Sequence, residues 1–414
     1  MSSKLPSVSA SESSSVSGRT YILLVLAAVI AVSILRDPRF VFEPRLWAEE
    51  GTVYLHAAIQ SEDLSDLLRP HLGYYSLIPN LMTHAGLTMS GLSGVAVWTT
   101  WSSFVLMIAC VTAPLFLPGR FWDTRMKRTA IILFALVAGS AEIWLNTINI
   151  QHYLCVFTGF LFLSDITKAS RRIRAYAMIM TAVAAFTGVP SMLLLPAVVI
   201  RMRTSARHDR LWMLTLGLFG LAAGMHVLGL WTTASTGGVS RLSPDNLGHL
   251  PSGILMTLSG TAASGDRHTR LLFLGLMIVT VAASWRRWRE SATPALTALI
   301  LGVMFTVLSL EMKGGNRYAY APSVLLFIFM TGAADQARDV LRIGIIRSAA
   351  VLLLLHSCVR FFDTRPYYEP SWKRFSAENA VVSDQGTVEV PVHPQWPGTH
   401  WVVTMSAEEF RRYR

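Results

Sequence analysis

The chain is 414 residues long, 52% hydrophobic and only 15% charged, with a mean hydropathy of +0.44. A soluble globular domain carries about 25% charged residues, so an ordinary soluble enzyme, a disordered protein and a secreted disulfide scaffold are excluded, and several membrane spans are indicated. The net charge of +11 does not point to nucleic acid, because the basic residues sit in short loops between apolar runs.

Residues 1–20 hold nine serines and read as a disordered tail. A bilayer core of roughly 30 Å needs about 20 apolar residues per helix. Apolar runs follow at 21–35, 94–117, 129–145, 153–166, 211–231, 271–285, 295–310, 319–333 and 348–359. The shorter ones need tilt or polar ends that reach the headgroups. The first run is expected to remain as an uncleaved anchor rather than a signal peptide. Two runs are interrupted: 72–92 by Pro79, Asn80 and His84, and 176–200 by Gly188-Val189-Pro190 and Pro196. Cys110, Cys155 and Cys358 lie in apolar runs at irregular spacing, which supports neither a disulfide framework nor a zinc site. No internal repeat is visible, so an inverted-repeat transporter gains no support. The expected fold is an all-α polytopic bundle of about 9–11 transmembrane helices. It divides into the tail, a membrane domain over 21–359 and a small C-terminal segment over 360–414.

Short loops rich in Lys and Arg face the cytoplasm. With a cytoplasmic N-terminus, the inside loops carry Arg120, Arg125, Lys127 and Arg128; Lys168, Arg171, Arg172 and Arg174; Arg201, Arg203, Arg207 and Arg210; Arg286, Arg287 and Arg289; and Arg338, Arg342 and Arg347. This scheme requires 176–200 to enter and leave on one face, turning at Gly188-Val189-Pro190. The outer face then receives 36–71, 146–152, 232–268, 311–318 and the segment from 360.

The outer loops concentrate polar chemistry. Trp47-Ala48-Glu49-Glu50-Gly51-Thr52-Val53-Tyr54 places two carboxylates beyond the first span. They can supply a general base for a hydroxyl, hold a divalent cation such as Mg or Mn, or be ordinary surface acids. Arg69-Pro70-His71-Leu72-Gly73-Tyr74-Tyr75, followed by Asn80, suits short amphipathic helices in the interface, so 36–92 reads as one outer loop. Its tyrosines and His71 equally fit an anchoring belt. The turn Asn146-Thr147-Ile148-Asn149-Ile150-Gln151-His152 can hydrogen-bond a sugar or cap helix ends. Late in the chain, Lys313-Gly314-Gly315-Asn316-Arg317-Tyr318-Ala319-Tyr320-Ala321-Pro322 opens a span with two cations on the outer side. Arg offers a planar fork for phosphate oxygens, and paired glycines admit a ligand close to the backbone. Lipid headgroups would satisfy the same cations.

These segments together resemble the GT-C superfamily, multi-pass glycosyltransferases that use polyprenyl-phosphate sugars. Trp-Ala-Glu-Glu-Gly-x-x-Tyr is similar to its acidic first-loop motif. The polar turn at 146–152 and Gly-x-Arg-Tyr-x-Tyr-x-Pro at 315–322 are similar to features of bacterial members. The resemblance implies a bacterial inner-membrane enzyme with an extracytoplasmic site, transferring a hexose or pentose with inversion to a cell-envelope glycan or lipid. Glu50 is the first expected base and Glu49 the second, although both replace the more usual Asp. Arg317 and Lys313 would hold the donor phosphate. His71, Tyr74, Asn80, Gln151, His152, Tyr318 and Tyr320 are expected substrate contacts. The lipid-linked donor, the acceptor and membrane lipids are the expected partners.

Two other readings compete. A transporter or flippase of lipid-linked saccharide calls for polar residues at mid-membrane depth, where these spans are nearly free of them. A polymerase or ligase calls for a basic large outer loop, yet 232–268 carries only Arg241 and Arg267.

Overall fold

The structure is a computed structural model and describes residues 17–61, 67–71, 73–139, 141–196, 199, 210–235, 275, 278, 282, 316–336, 340–362, 375–383, 386–393 and 401–414. Its helices are α1 (Gly18–Arg36), α2 (Arg39–Phe42), α3 (His56–Gln60), α4 (Leu77–Val111), α5 (Arg125–Val137), α6 (Ile150–Leu163), α7 (Arg171–Phe186), α8 (Arg210–Ser235), α9 (Tyr320–Gln336), α10 (Val340–Phe361) and α11 (Ala407–Tyr413). Among the described residues four helices are long and apolar enough to cross a membrane: α1, α4, α8 and α10. The protein is thus a helical polytopic membrane protein. The expected spans at 271–285 and 295–310 lie outside the described residues apart from residues 275, 278 and 282, and so do the loop at 232–268 beyond residue 235, and Lys313.

Side-chain oxygens set several helix starts. Ser17, Thr124 and Ser170 accept backbone N–H bonds at the starts of α1, α5 and α7, each satisfying a donor the helix leaves open. α4 is two arms rather than one rod. At Gly91 φ is 63° and ψ −170°, a left-handed conformation that breaks the helix. Beyond the elbow the arms close on each other, so a Cβ on Gly86 would stand 2.9 Å from the Val95 Cα. Residues 72–92 and 94–117, separate in sequence, therefore meet at this joint.

Among the described residues, the cations of the segments around 120–128 and 168–174, with Arg210, gather at one end of the bundle. The Tyr21 hydroxyl bonds Thr129 Oγ1 at 2.9 Å, which sets the start of α1 beside the start of α5. The Asp165 amide reaches the Pro118 carbonyl at 2.7 Å, joining two basic loops. α7 and α8 run in the same direction: Thr215 meets Met178 near their starts, and His226 Nε2 meets the Ala185 carbonyl near their far ends. Arg171 and Arg210 thus share the basic end.

The opposite end collects the polar turns. There Arg36 is buried between the rings of Trp144 and Phe361, 4.3 Å from each centroid. A desolvated guanidinium over an aromatic face is worth about 2 kcal/mol, so this contact ties α1 to α10. The main core runs along α4, α5, α6 and α9, with Phe134 stacked on Phe327 at 4.2 Å.

A second, smaller core sits at the polar end under a C-terminal sheet. β1 (Val381–Val382), β2 (Thr387–Pro391) and β3 (Val402–Ser406) form an antiparallel sheet in that order. The alternation in β2 and β3 turns Val388, Val390, Val403 and Met405 inward against Leu46, Leu55, Leu87 and Leu92. The small C-terminal segment expected over 360–414 thus carries a three-stranded sheet. α11 starts with a capping box at Ser406 and Glu409 and closes on the α4 elbow, where a Cβ on Gly91 would meet the Tyr413 carbonyl oxygen at 2.5 Å.

Candidate functional site

Glu50 lies at the centre of the polar end, 1% exposed. Its Oε2 accepts the Trp47 amide at 2.8 Å. Its Oε1 accepts both the amide and the hydroxyl of Thr147 at 2.6 Å. A buried carboxylate costs several kcal/mol unless donors and opposite charge surround it. Burial pushes the Glu50 carboxyl above its usual range, against the pull of Thr147, Trp47 and nearby Arg45. Arg45 is itself buried over the rings of Phe40 and Trp47. Glu50 thus joins the first outer loop to the 146–152 turn across a sequence gap of 97 residues.

Backbone conformation marks the same two segments. Ala48 (φ 31°) and Leu145 (φ 49°) are the non-glycine residues with positive φ among those described. Each such conformation costs on the order of 1–3 kcal/mol and persists where surroundings enforce it. Ala48 directly precedes Glu49; Leu145 directly precedes Asn146. A π-helical turn follows at Glu50–Leu55, a geometry that often re-aims side chains at functional sites. Gly51 is required within it, because an added Cβ would stand 2.4 Å from a methyl of Val392 in the C-terminal unit. The Trp47–His393 bridge seats that unit against the same loop.

Glu49 faces different surroundings. It is half-buried, and no hydrogen-bond donor among the described residues occupies its carboxylate. Its charge acts on Arg317 and on Tyr54. Arg317 Nη1 donates to Glu142 Oε1 at 2.7 Å, and Nη2 to the Tyr318 hydroxyl at 3.4 Å. Burial opposes the Arg317 charge, but Tyr318, Glu142 and Glu49 outweigh it and raise the group further, so it stays a cation. The acid from the start of the chain and the guanidinium from its end therefore share one electrostatic neighbourhood.

The 146–152 turn caps helix ends, one of the two things its sequence allows. Asn146 and Asn149 donate to the Glu142 carbonyl at 2.8 and 3.0 Å, and Asn146 Oδ1 accepts the Asn149 amide, which is capping. Gln151 is half-exposed, donates to the Ile148 carbonyl and packs where a Cβ on Gly188 would strike its Oε1 at 1.9 Å. His152, just before the apolar stretch from Tyr153, is buried edge-on to the Tyr318 ring at 5.6 Å. Burial, aided by Arg317, pushes its imidazole down to about 3. It is therefore neutral near pH 7.

A second wall comes from 54–76. Tyr54 is buried, edge-on to His71 at 5.1 Å, and its hydroxyl bonds Ser76 at 2.9 Å. Burial, with Tyr74 and Glu49, holds its hydroxyl far above the usual range. His71 and Tyr74 pair through their backbones and stay half-exposed. The Gly188 amide reaches the Tyr75 carbonyl at 2.8 Å, which brings the α7 turn beside them.

Two expected substrate contacts are placed elsewhere. Asn80 is buried and donates to the carbonyls of Leu67 and Arg69, so it braces the loop. Tyr320 is fully buried, its hydroxyl on the Ala135 carbonyl at 2.6 Å and its ring against Tyr153. Thr147, Glu142 and Arg45 carry the geometry, and the sequence reading gave none of them a role. Glu142, a lone acid at the end of an apolar run, was the available signal.

Among the described residues the donor set does not suit the divalent cation the sequence allowed. Among the described residues no three His, Cys, Asp or Glu side chains cluster. Glu50 is occupied by three donors and Glu142 by Arg317, leaving Glu49 alone.

No family model matches this chain, and no curated protein matches it. Among solved structures it is similar to the Archaeoglobus fulgidus oligosaccharyltransferase, crystallised in complex with Zn and sulfate. The identity is 13% and the TM-score 0.39, over 84% of this chain and 54% of that one. The chain spans about half the length of that protein. At this level the likeness carries no functional inference.

Proposed function

We propose that the protein is a GT-C-like glycosyltransferase. It would move a sugar from a polyprenyl-phosphate donor to a cell-envelope glycan or lipid acceptor on the extracytoplasmic face of a bacterial inner membrane. The observation that carries this reading is that Arg317, held by Glu142 at 2.7 Å, lies within reach of the charge of the partly open Glu49 at the polar end. The positive-inside rule sets the basic end in the cytoplasm and the polar end outside.

In this reading Glu49 is the base, and Glu50 positions it; the order of the two acids is reversed from the sequence expectation. Glu50 is buried with three donors on its two oxygens, whereas the Glu49 carboxylate is partly open. The acceptor hydroxyl attacks the anomeric carbon, and its proton passes to Glu49. The bond from that carbon to the phosphate oxygen breaks, its electron pair stays on the phosphate, and the configuration inverts. Arg317 offsets the charge that develops on the leaving phosphate, with Lys313 as helper. Glu142 holds the guanidinium in place. His152 backs the Tyr318 ring, and the half-exposed His71, Tyr74, Gln151 and Tyr318 contact donor or acceptor. The C-terminal sheet forms the acceptor side. No step runs through a cation.

Along the described spans, Thr83, Ser103, Thr158 and Thr181 bond carbonyls of their own helices. They offer no polar path across the midplane, which favours transfer over transport.

The test is glycan analysis of a deletion strain. Loss of one sugar from the surface glycan, restored by the wild-type gene but not by Arg317→Ala protein present at normal level in the membrane, is the expected result. An unchanged glycan profile would reject the reading.

A further inference from the structure

At the basic end, away from the site above, α5, α9 and α10 enclose a cleft of about 330 Å³. Phe327, Met330, Ala350 and Leu354 furnish apolar walls, and Lys127, Asp335 and Arg347 stand among its lining. Lys127 is bonded to Asp123 at 2.7 Å and is also paired with Asp335. Two carboxylates around one ammonium leave a net charge of about −1 there. Arg347, exposed on α10, supplies a separate positive charge. The cleft thus presents an apolar slot and the Arg347 cation, with Lys127 and Asp335 in its lining and Asp123 joined to them from beyond the lining to make the cluster net anionic.

An acyl chain fits the apolar slot, and the paired charges call for a headgroup of both signs. We propose that this cleft seats one phospholipid whose headgroup carries a phosphate and a primary ammonium. The phosphate meets the Arg347 guanidinium, whose fork suits phosphate oxygens. The ammonium donates to Asp335 and Asp123, a bond that a quaternary choline cannot make. A headgroup with phosphate alone would set its negative charge beside the carboxylates.

Native mass spectrometry of the full chain, exchanged into mixed micelles with matched-chain phosphatidylethanolamine, phosphatidylcholine or phosphatidylglycerol, tests this. Wild type is expected to retain one phosphatidylethanolamine at least tenfold more than either other lipid. Arg347→Gln should lower retention of all three to a common level. Asp335→Asn, which leaves the Lys127–Asp123 pair intact, should raise phosphatidylglycerol to at least the level of phosphatidylethanolamine. Ala350→Phe, which fills the cleft, should abolish the retained lipid, while Arg342→Gln should change nothing. Equal retention of the three lipids by wild type, preference for phosphatidylglycerol, or undiminished retention in Arg347→Gln and Ala350→Phe would overturn the proposal. Soluble phosphoethanolamine should not displace the lipid; displacement would show a headgroup site without the acyl slot and also overturn it.

Discussion

Glu49 and Glu50 differ by one position and face different surroundings, and variants separate them. Glu50→Gln places an N–H where every neighbour already donates. One buried donor is left unsatisfied, at a cost of about 1–3 kcal/mol, and the thermal midpoint in detergent should fall. Glu49→Gln should leave the midpoint unchanged while lowering transfer about 10²–10⁴-fold, the usual contribution of a general base. Differential scanning fluorimetry beside a transfer assay reads both. His152 carries a pH signature. Its imidazole is held below the ordinary histidine value, so its contribution to stability is complete above about pH 6.5 and is lost as pH falls, by up to about 1.4 kcal/mol per unit. The difference in midpoint between wild type and His152→Gln should therefore shrink from pH 7 to pH 5. The sequence pointed to Glu49, Glu50 and Arg317 but not to their partners Thr147, Glu142 and Arg45, nor to how the two acids differ. Adjacent acids look alike on paper, and only the fold reveals that one bonds Thr147 while the other stays partly open with its charge acting on Arg317.

At the level of elements, two glycines hold the polar end together. Gly188 has φ of 87°, and an added Cβ would strike Gln151. Gly188→Ala should lower transfer and thermal stability together, since both the backbone and the neighbour must shift. Gly91→Ala strains the α4 elbow and pushes away the end of α11. Limited proteolysis should then release the C-terminal segment sooner than in wild type. The elbow shows where reading the sequence stops. Hydropathy marks two apolar runs that divide just past Gly91, but their sharp closure depends on Gly86, Val95 and Trp98 meeting in three dimensions. The interruption at Gly188-Val189-Pro190 was legible, because proline and glycine break a helix by backbone chemistry alone. The three-stranded sheet was only partly legible. Its strands are short, and their partners lie far along the chain.

Across the described residues, charge orders the ends: Arg125, Arg171 and Arg210 open helices at one end, and the Glu142–Arg317 pair and the buried Glu50 lie at the other. A cysteine-free background (Cys110, Cys155 and Cys358 replaced by serine) permits a sidedness test. A single cysteine at Glu378 should react with a membrane-impermeant maleimide in intact cells, and one at Lys168 only after lysis. The central claim is that Glu49 and Arg317 act together on a lipid-linked sugar. The most direct measurement is the pool of polyprenyl-phosphate sugars, by mass spectrometry, in cells whose only copy carries Glu49→Gln. Accumulation of one such donor, alongside normal membrane levels of the variant, is what this account predicts. A pool and surface glycan identical to wild type would contradict it.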